Sequence, residues 1–372
     1  RDLVRSRGLG DVYKRQEYVE RMFSNNRDIL EVFHCCVPFK VPTCTSMYQQ
    51  YWRPWQEGYQ NIWVRQMPGT ALSVKDFDFW NDSLWDYDFQ SLFPSWIRRK
   101  KGCKRVCCLV GIRTQESFNR WRAIHSDKNY RKLANYKWTH RVGYYTYNAY
   151  PIYDWKTTDV WTGYARYGWD YNRLYDLYYQ AGIPLSRQRV ASPFISQAVS
   201  TLHLYKVIDP DTWGRMVSRV NGVSFAGMYG NTVAMGWRSI SCPDGFTWKE
   251  YMYFLLDTLP RATRENYLEK LRVSQKFWRE KGGCLREETI GKLRAAGVPF
   301  TVEECTTYRT DKRPVRMEYI DEIDIPEFRE IPTYKRMCVC ILKNDHTCKY
   351  MGFTQTKRER EMKERVLKRY KL

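Results

Sequence analysis

The 372 residues carry 62 Lys and Arg against 41 Asp and Glu, a formal net charge of +21, and 16% of them are aromatic, with 15 Trp and 29 Tyr. So many large rings exclude an intrinsically disordered chain and argue for a packed core, at a length that suits one large domain or two smaller ones. No apolar run reaches the roughly 18 residues of a membrane-spanning helix. The start lacks the apolar segment of a secretory signal, so a cytoplasmic protein without membrane contact is expected. The positive field favours anionic partners such as nucleotides, nucleic acid or acidic surfaces; the alternative is a basic solvated surface with no specific partner.

Residues 1–16 (RDLVRSRGLGDVYKRQ) have little apolar periodicity and are similar to a translated adapter sequence, so they read as a non-native leader standing where upstream sequence is missing; the alternative is a genuine unstructured leader. Residues 17–25 read as the end of a helix and 29–37 (ILEVFHCCV) as a strand. Residues 38–101, dense in Trp, Tyr and Pro, read as a long irregular insertion near a functional face. A second buried strand is expected at 105–110 (RVCCLV), and the pairs Cys35, Cys36 and Cys107, Cys108 are expected to be buried thiols of a reducing compartment.

Gly111 breaks that strand, and a helix follows at 116–124. Another strand is expected within 143–153, then a helix to about 166 with Thr157 as its N-cap and Asp159 in its first turn. Residues 172–181 form a further predicted helix, stopped by Gly182 and Pro184. Beyond about 190 the predicted elements are helices, at 210–220, 248–259, 264–280, 287–296 and 356–370. The fold class expected is therefore α/β, with an α/β part at 17–190 and a mainly helical part at 191–372.

The strongest signal is the ordered pair 109–124 (LVGIRTQESFNRWRAI) and 151–184 (PIYDWKTTDVWTGYARYGWDYNRLYDLYYQAGIP). The first is strand, glycine turn, helix, and ligands of open α/β sheets sit at the carboxyl ends of strands. Gly111 lets backbone approach an anion, and the helix start adds N–H donors. Arg113 and Arg120 have the guanidinium geometry for phosphate or sulfate, with Glu116 and Ser117 holding them or touching the ligand. The alternative is a turn in which Arg113 pairs with Glu116 for structure alone. Asp154 either lies near the ligand or braces the turn before Trp155.

These two segments resemble signatures of the phosphoadenosine phosphosulfate reductase family and related ATP-pyrophosphatases: G-I-R-x-x-E-S-x-N-R at 111–120, and P-I-x-x-W-x-x-x-D-V-W with Y-N-x-L-Y-D-L-x-Y further on. The likeness is nearest to the immunoglobulin-binding-regulator-A-like group, whose C-terminal domain is of unknown function; WGRMVSRVNG, FLLDTLP and CVCILKNDHTC resemble its tail. The resemblance runs from about residue 17 to the end. It implies a Rossmann-like α/β/α sandwich of the adenine nucleotide α-hydrolase type, incomplete here, and ATP or a sulfonucleotide as ligand. It implies adenylation or sulfur transfer as the chemistry, with DNA or tRNA as a target of sulfur modification; the alternative it implies is a regulatory, nucleic-acid-associated module working with a ParB-like partner.

Two family features are missing from these residues. No Ser-Gly-Gly-Lys-Asp-Ser string, the family's phosphate loop, occurs; family order places it ahead of Glu17, and without it the nucleotide phosphates are not expected to be held. No E-C-G-L-H string, which carries the reductase cysteine, occurs either. Near the end, Cys338, Cys340 and Cys348 with His346 form C-x-C-x7-C with a histidine inside it. Thiolates with an imidazole suit zinc or an iron–sulfur cluster; the alternative is three thiols packed in a helical core.

Overall fold

The computed structural model describes residues 2–4, 15–116, 118–125, 132–133, 136–185, 188, 192–195, 198–229, 240–303 and 312–353. The N-terminal half opens with β1 (Asp2–Val4), α1 (Arg15–Ser24), β2 (Leu30–Val32) and β3 (His34–Cys35), where one long strand is expected. β1 pairs with β2 in parallel. Short strands β4 (Val41–Pro42), β5 (Tyr51–Trp52) and β6 (Ala71–Leu72) follow; β4 pairs antiparallel with β5, and β3 parallel with β6.

The insertion expected at 38–101 is instead part of the core. It contains a 15-residue helix, α2 (Asp86–Lys100), whose Phe89, Leu92, Phe93, Trp96 and Ile97 form one buried stripe. The spacing is helical, but the interior Pro94 obscures it. Burying large apolar side chains contributes about 1.5–3 kcal/mol each, so the stripe together outweighs the roughly 3 kcal/mol an interior proline costs. Phe77 completes the packing, 4.8 Å from Trp96 and 5.0 Å from Phe89 between ring centroids. Asp86 and Asp88 in the first turn and Arg98, Arg99 and Lys100 in the last complement the helix dipole.

The central sheet is built from β7 (Val106–Leu109), then α3 (Phe118–His125), β8 (Thr139–Arg141) and β9 (Thr146–Ala149), in strand order β7-β9-β8. β7 and β9 are parallel, Val106 opposite Thr146 and Leu109 opposite Ala149, while β8 runs antiparallel to β9. The chain is thus mixed α/β, but among the described residues its sheets have two or three strands and no continuous parallel sheet is assembled. The adjacent cysteines also differ from expectation: Cys36 is buried, whereas Cys107 is exposed, because this strand alternates its faces and turns Cys107 to one that nothing covers.

Next come α4 (Thr157–Tyr167), α5 (Leu174–Gln180), α6 (Tyr205–Ile208), α7 (Pro210–Arg219) and α8 (Val223–Tyr229). Thr157 is the first helical residue of α4, not its cap; Lys156 holds the cap position, and its N–H donates to Asp159 Oδ2 at 2.8 Å. The C-terminal half contains α9 (Trp248–Asp257), α10 (Arg261–Glu280), β10 (Gly283–Arg286), α11 (Glu287–Ala295), β11 (Phe300–Val302), β12 (Lys312–Met317) and α12 (Tyr334–Leu342). The helices expected there are present, but so is an antiparallel sheet, β10-β12-β11, that the helical reading omits. Its strands are only three to six residues long, too short to set a period-2 signal apart. The helix expected at 356–370 lies outside the described residues.

Residues 43–47 are fixed on both sides, to Phe194 and Asn221 of the first half and to Thr263 of the C-terminal half. Thr45 Oγ1 donates to the Asn221 carbonyl at 2.7 Å, Thr263 Oγ1 donates to the Met47 carbonyl at 2.8 Å, and the Cys44 thiol donates to the Phe194 carbonyl at 3.1 Å. Thr43, Cys44 and Thr45 are buried. Hydroxyl-rich residues here satisfy backbone carbonyls that a junction between two cores would otherwise leave dry.

Candidate functional site

Parallel pairing brings the carboxyl ends of β7 and β9 side by side, so the loops that leave them, at 110–116 and 150–156, share one edge of the sheet. Thr114 N–H donates to the Tyr153 carbonyl at 2.8 Å and fastens one loop to the other. Gln115 adds a second tie: its Oε1 accepts from the Thr157 N–H at 2.8 Å and from the Thr157 hydroxyl at 3.3 Å. Gln115 was not among the residues the sequence singles out; a glutamine beside an arginine carries no motif of its own.

Arg113 is buried within this knot. Its Nη1 donates to Thr157 Oγ1 at 3.0 Å, and its Nη2 lies 3.0 Å from Glu116 Oε1. Glu116 is also ion-paired with Arg120, whose side chain is 45% exposed where that of Glu116 is 14%. One carboxylate therefore holds two guanidinium groups, one inside and one at the surface. Burial lowers the affinity of Arg113 for its proton, offset by the nearby Tyr175 and Asp159, yet a guanidinium stays charged in proteins. The pairing of Arg113 with Glu116 is thus present, and it extends to Arg120.

The other expected site residues are placed less closely. Gly111 is exposed at the end of β7, and a Cβ there would meet only Ile152 Cδ1 at 3.7 Å, ordinary contact. Asp154 is exposed on the neighbouring loop. Ser117 lies outside the described residues.

The phosphoadenosine phosphosulfate reductase domain matches residues 79–182, and a domain of unknown function, DUF3440, matches residues 182–362. The uncharacterized protein YbdN of Escherichia coli strain K12 is 31% identical over 345 residues, which cover 91% of this chain and 76% of that protein. The chain belongs to the PAPS reductase-like family with a C-terminal DUF3440 domain. No solved structure matches it. The family's reductase domain spans α2, the β7–β9 pair, both loops of the edge and the Arg113–Glu116–Arg120 cluster.

In the DUF3440 domain the Cys340 and Cys348 side chains meet each other, while Cys338 and His346 turn to other partners. Cys338, Cys340 and Cys348 are fully buried. Cys338 and Cys340 are two residues apart on α12 and so leave it in different directions. The Cys338 thiol donates to the Trp248 carbonyl at 3.5 Å, while the Cys340 thiol approaches Asp345 Oδ2 at 3.8 Å. His346 turns to the other half of the chain, its Nε2–H donating to the Ser46 carbonyl at 3.1 Å. Among the described residues no group of three or more His, Cys, Asp or Glu side chains is placed to hold a metal ion. Burial pushes the Cys338 thiol up to about 12 and the Cys340 thiol well above its ordinary value. In this arrangement the three thiols pack in a core, with Met252, Tyr267 and Met337 around them.

His346 makes that junction sensitive to pH. Its Nδ1 is buried without a hydrogen-bond partner among the described residues, and burial holds the imidazole below its ordinary 6.5. As pH falls through 6.5 the unfolded imidazole takes up a proton that the folded one refuses, so stability is full above that value and lost toward the folded value. The denaturant midpoint is expected to fall between about pH 7 and about pH 5.5, and by less in His346→Gln. An unchanged decline in the variant would assign the loss to other groups.

Among the described residues no helix is long and apolar enough to cross a membrane.

Proposed function

We propose that the edge formed by the β7 and β9 loops handles an adenine nucleotide, ATP or a sulfonucleotide, in adenylation or sulfur transfer. The observation that carries this reading is the buried Arg113–Glu116–Arg120 cluster at the carboxyl ends of two parallel strands, inside the reductase-domain match. Arg120 is the contact for phosphate or sulfate, because its guanidinium is the one at the surface. Arg113 acts as a positioning residue: its donors already meet Thr157 and Glu116, and Glu116 in turn aims Arg120. Gly111 and Asp154, both exposed on the two loops, complete the ligand-facing set. Sulfonucleotide reduction is not proposed, since no E-C-G-L-H cysteine occurs in the 372 residues.

The test is nucleotide-dependent pyrophosphate release by this chain joined to a strand–SGGKDS–helix segment ahead of Glu17, compared with the 372 residues alone. Release is expected only from the joined protein, and removal of a charge-assisted anion contact in Arg120→Ala is expected to lower kcat/KM about tenfold or more. Arg113→Ala is expected to act in the same direction and to be partly rescued by Arg113→Lys, as a positioning role predicts. Turnover by the 372 residues alone, or wild-type kinetics in Arg120→Ala, would contradict the reading.

A further inference from the structure

The opposite edge of the same sheet has a different chemistry. β7 and β9 both begin there, with Val106 N–H donating to the Tyr145 carbonyl at 3.0 Å. The residues just before them, Lys104 and Arg105 on one side and Tyr144 and Tyr145 on the other, are therefore neighbours, and all four are exposed. Arg141, at the end of β8, folds over the hairpin. Its Nε and Nη2 donate to the Gly143 and Tyr144 carbonyls at 3.2 and 3.0 Å, and its guanidinium stands 5.4 Å from the Tyr144 ring centre. Arg98, from the last turn of α2, stands 5.1 Å from the Tyr145 ring centre.

Among the described residues, neither the charge nor the exposed rings at this edge are met by the rest of the chain. On α2 and just after it, Arg99 pairs with Asp78 and Lys101 with Glu31. Among the described residues none of Arg98, Lys104, Arg105 and Arg141 is in an ion pair, so the patch keeps its positive sign. Tyr144 is 71% exposed and Tyr145 44%, and their ring centroids lie 5.0 Å apart with the rings inclined at 73°. Stacked bases use such rings, and the phosphates between them use the cations. A duplex hides its base faces, so the exposed rings favour a single strand.

We propose that the β8–β9 hairpin, with the last turn of α2 and residues 104–105, is a docking surface for single-stranded nucleic acid. The surface lies at the far end of the strands from Arg113 and stands independently of the nucleotide reading. It holds a strand through base stacking on Tyr144 and Tyr145 and through phosphate contacts from Arg98, Lys104, Arg105 and Arg141. No base-specific hydrogen bonding is built into it, so sequence tolerance is expected.

The experiment is fluorescence anisotropy with a labelled oligothymidylate of about 12 nucleotides, titrated with the 372-residue protein over a series of salt concentrations. Tyr144→Ala is expected to weaken binding about tenfold. The double variant Lys104→Gln/Arg105→Gln is expected to reduce the slope of log affinity against log salt by about 1.4, or about 0.7 per cation removed. Circular dichroism checks that both variants fold, as substitutions at exposed side chains should. Three results would overturn the proposal. One is wild-type affinity and slope in both variants, which would leave only the general attraction of the +21 charge. The second is equal affinity for a blunt duplex of the same length. The third is preferential capture by anionic phospholipid vesicles over the oligonucleotide.

Discussion

Gly222→Ala is expected to destabilise the protein by about 3 kcal/mol, read from the denaturant midpoint. Gly222 sits between α7 and α8 with φ +78°, a left-handed conformation that a Cβ disfavours by about 1 kcal/mol. The larger part of the loss comes from packing. A Cβ at this position would stand 2.1 Å from the Thr45 carbonyl oxygen and 2.8 Å from its carbon, and backbone cannot swing aside as a side chain does. Thr45 is itself tied down, since its hydroxyl donates to the Asn221 carbonyl and its own N–H donates to the Thr43 hydroxyl at 3.2 Å. The control is Gly58→Ala. Gly58 has φ +83° and nothing within 4 Å of the added carbon, so only the conformational cost of about 1 kcal/mol is expected there. Equal losses at the two positions would show that the close approach of residues 43–47 to α8 contributes nothing.

The second large effect is expected from Glu116→Ala, a loss of about 3 kcal/mol together with loss of nucleotide-dependent turnover in the loop-completed protein. The Arg113 and Glu116 side chains are 11% and 14% exposed, so the pair is well shielded from water. Removing the carboxylate leaves Arg113 buried with neutral hydrogen-bond partners in Thr157 and Gln115 and only the more distant charge of Asp159 among the described residues, and a poorly compensated buried charge costs far more than an exposed pair contributes. The double variant Arg113→Met/Glu116→Leu removes the orphaned charge along with its partner. It is expected to recover most of the stability but none of the activity, which separates the structural role of the cluster from its functional one. A double variant no more stable than Glu116→Ala would assign the loss to packing rather than to charge.

Local chemistry made several elements legible. The apolar run RVCCLV ends at Gly111 and becomes β7, and the Gly168 that stops α4 adopts the left-handed cap conformation, with φ 61°. Both segments that carry the family resemblance lie at the site edge. Other features were less legible for physical reasons. α2 carries a proline inside its buried stripe, and the strands of the C-terminal sheet are too short to show alternation. The C-x-C-x7-C spacing has the right residue types for a metal, but two cysteines two apart on a helix point different ways. Spacing alone does not distinguish a helix from an extended ligand loop.

By itself the sequence determined the family, the mixed α/β character and the two segments whose loops meet at the candidate site, because each depends on residues close together in the chain. Tertiary structure alone decided which guanidinium is buried and which reaches the surface, that Gln115 joins the two loops, and that residues 43–47 form a junction rather than an insertion. It also decided that the cysteines of α12 belong to a core, and that Arg98 and Arg141, with no ion pair among the described residues, stand at Tyr145 and Tyr144. These outcomes depend on which surfaces meet across a hundred residues or more, or on which carboxylates come within reach of a given cation. Periodicity and motif spacing do not carry that information.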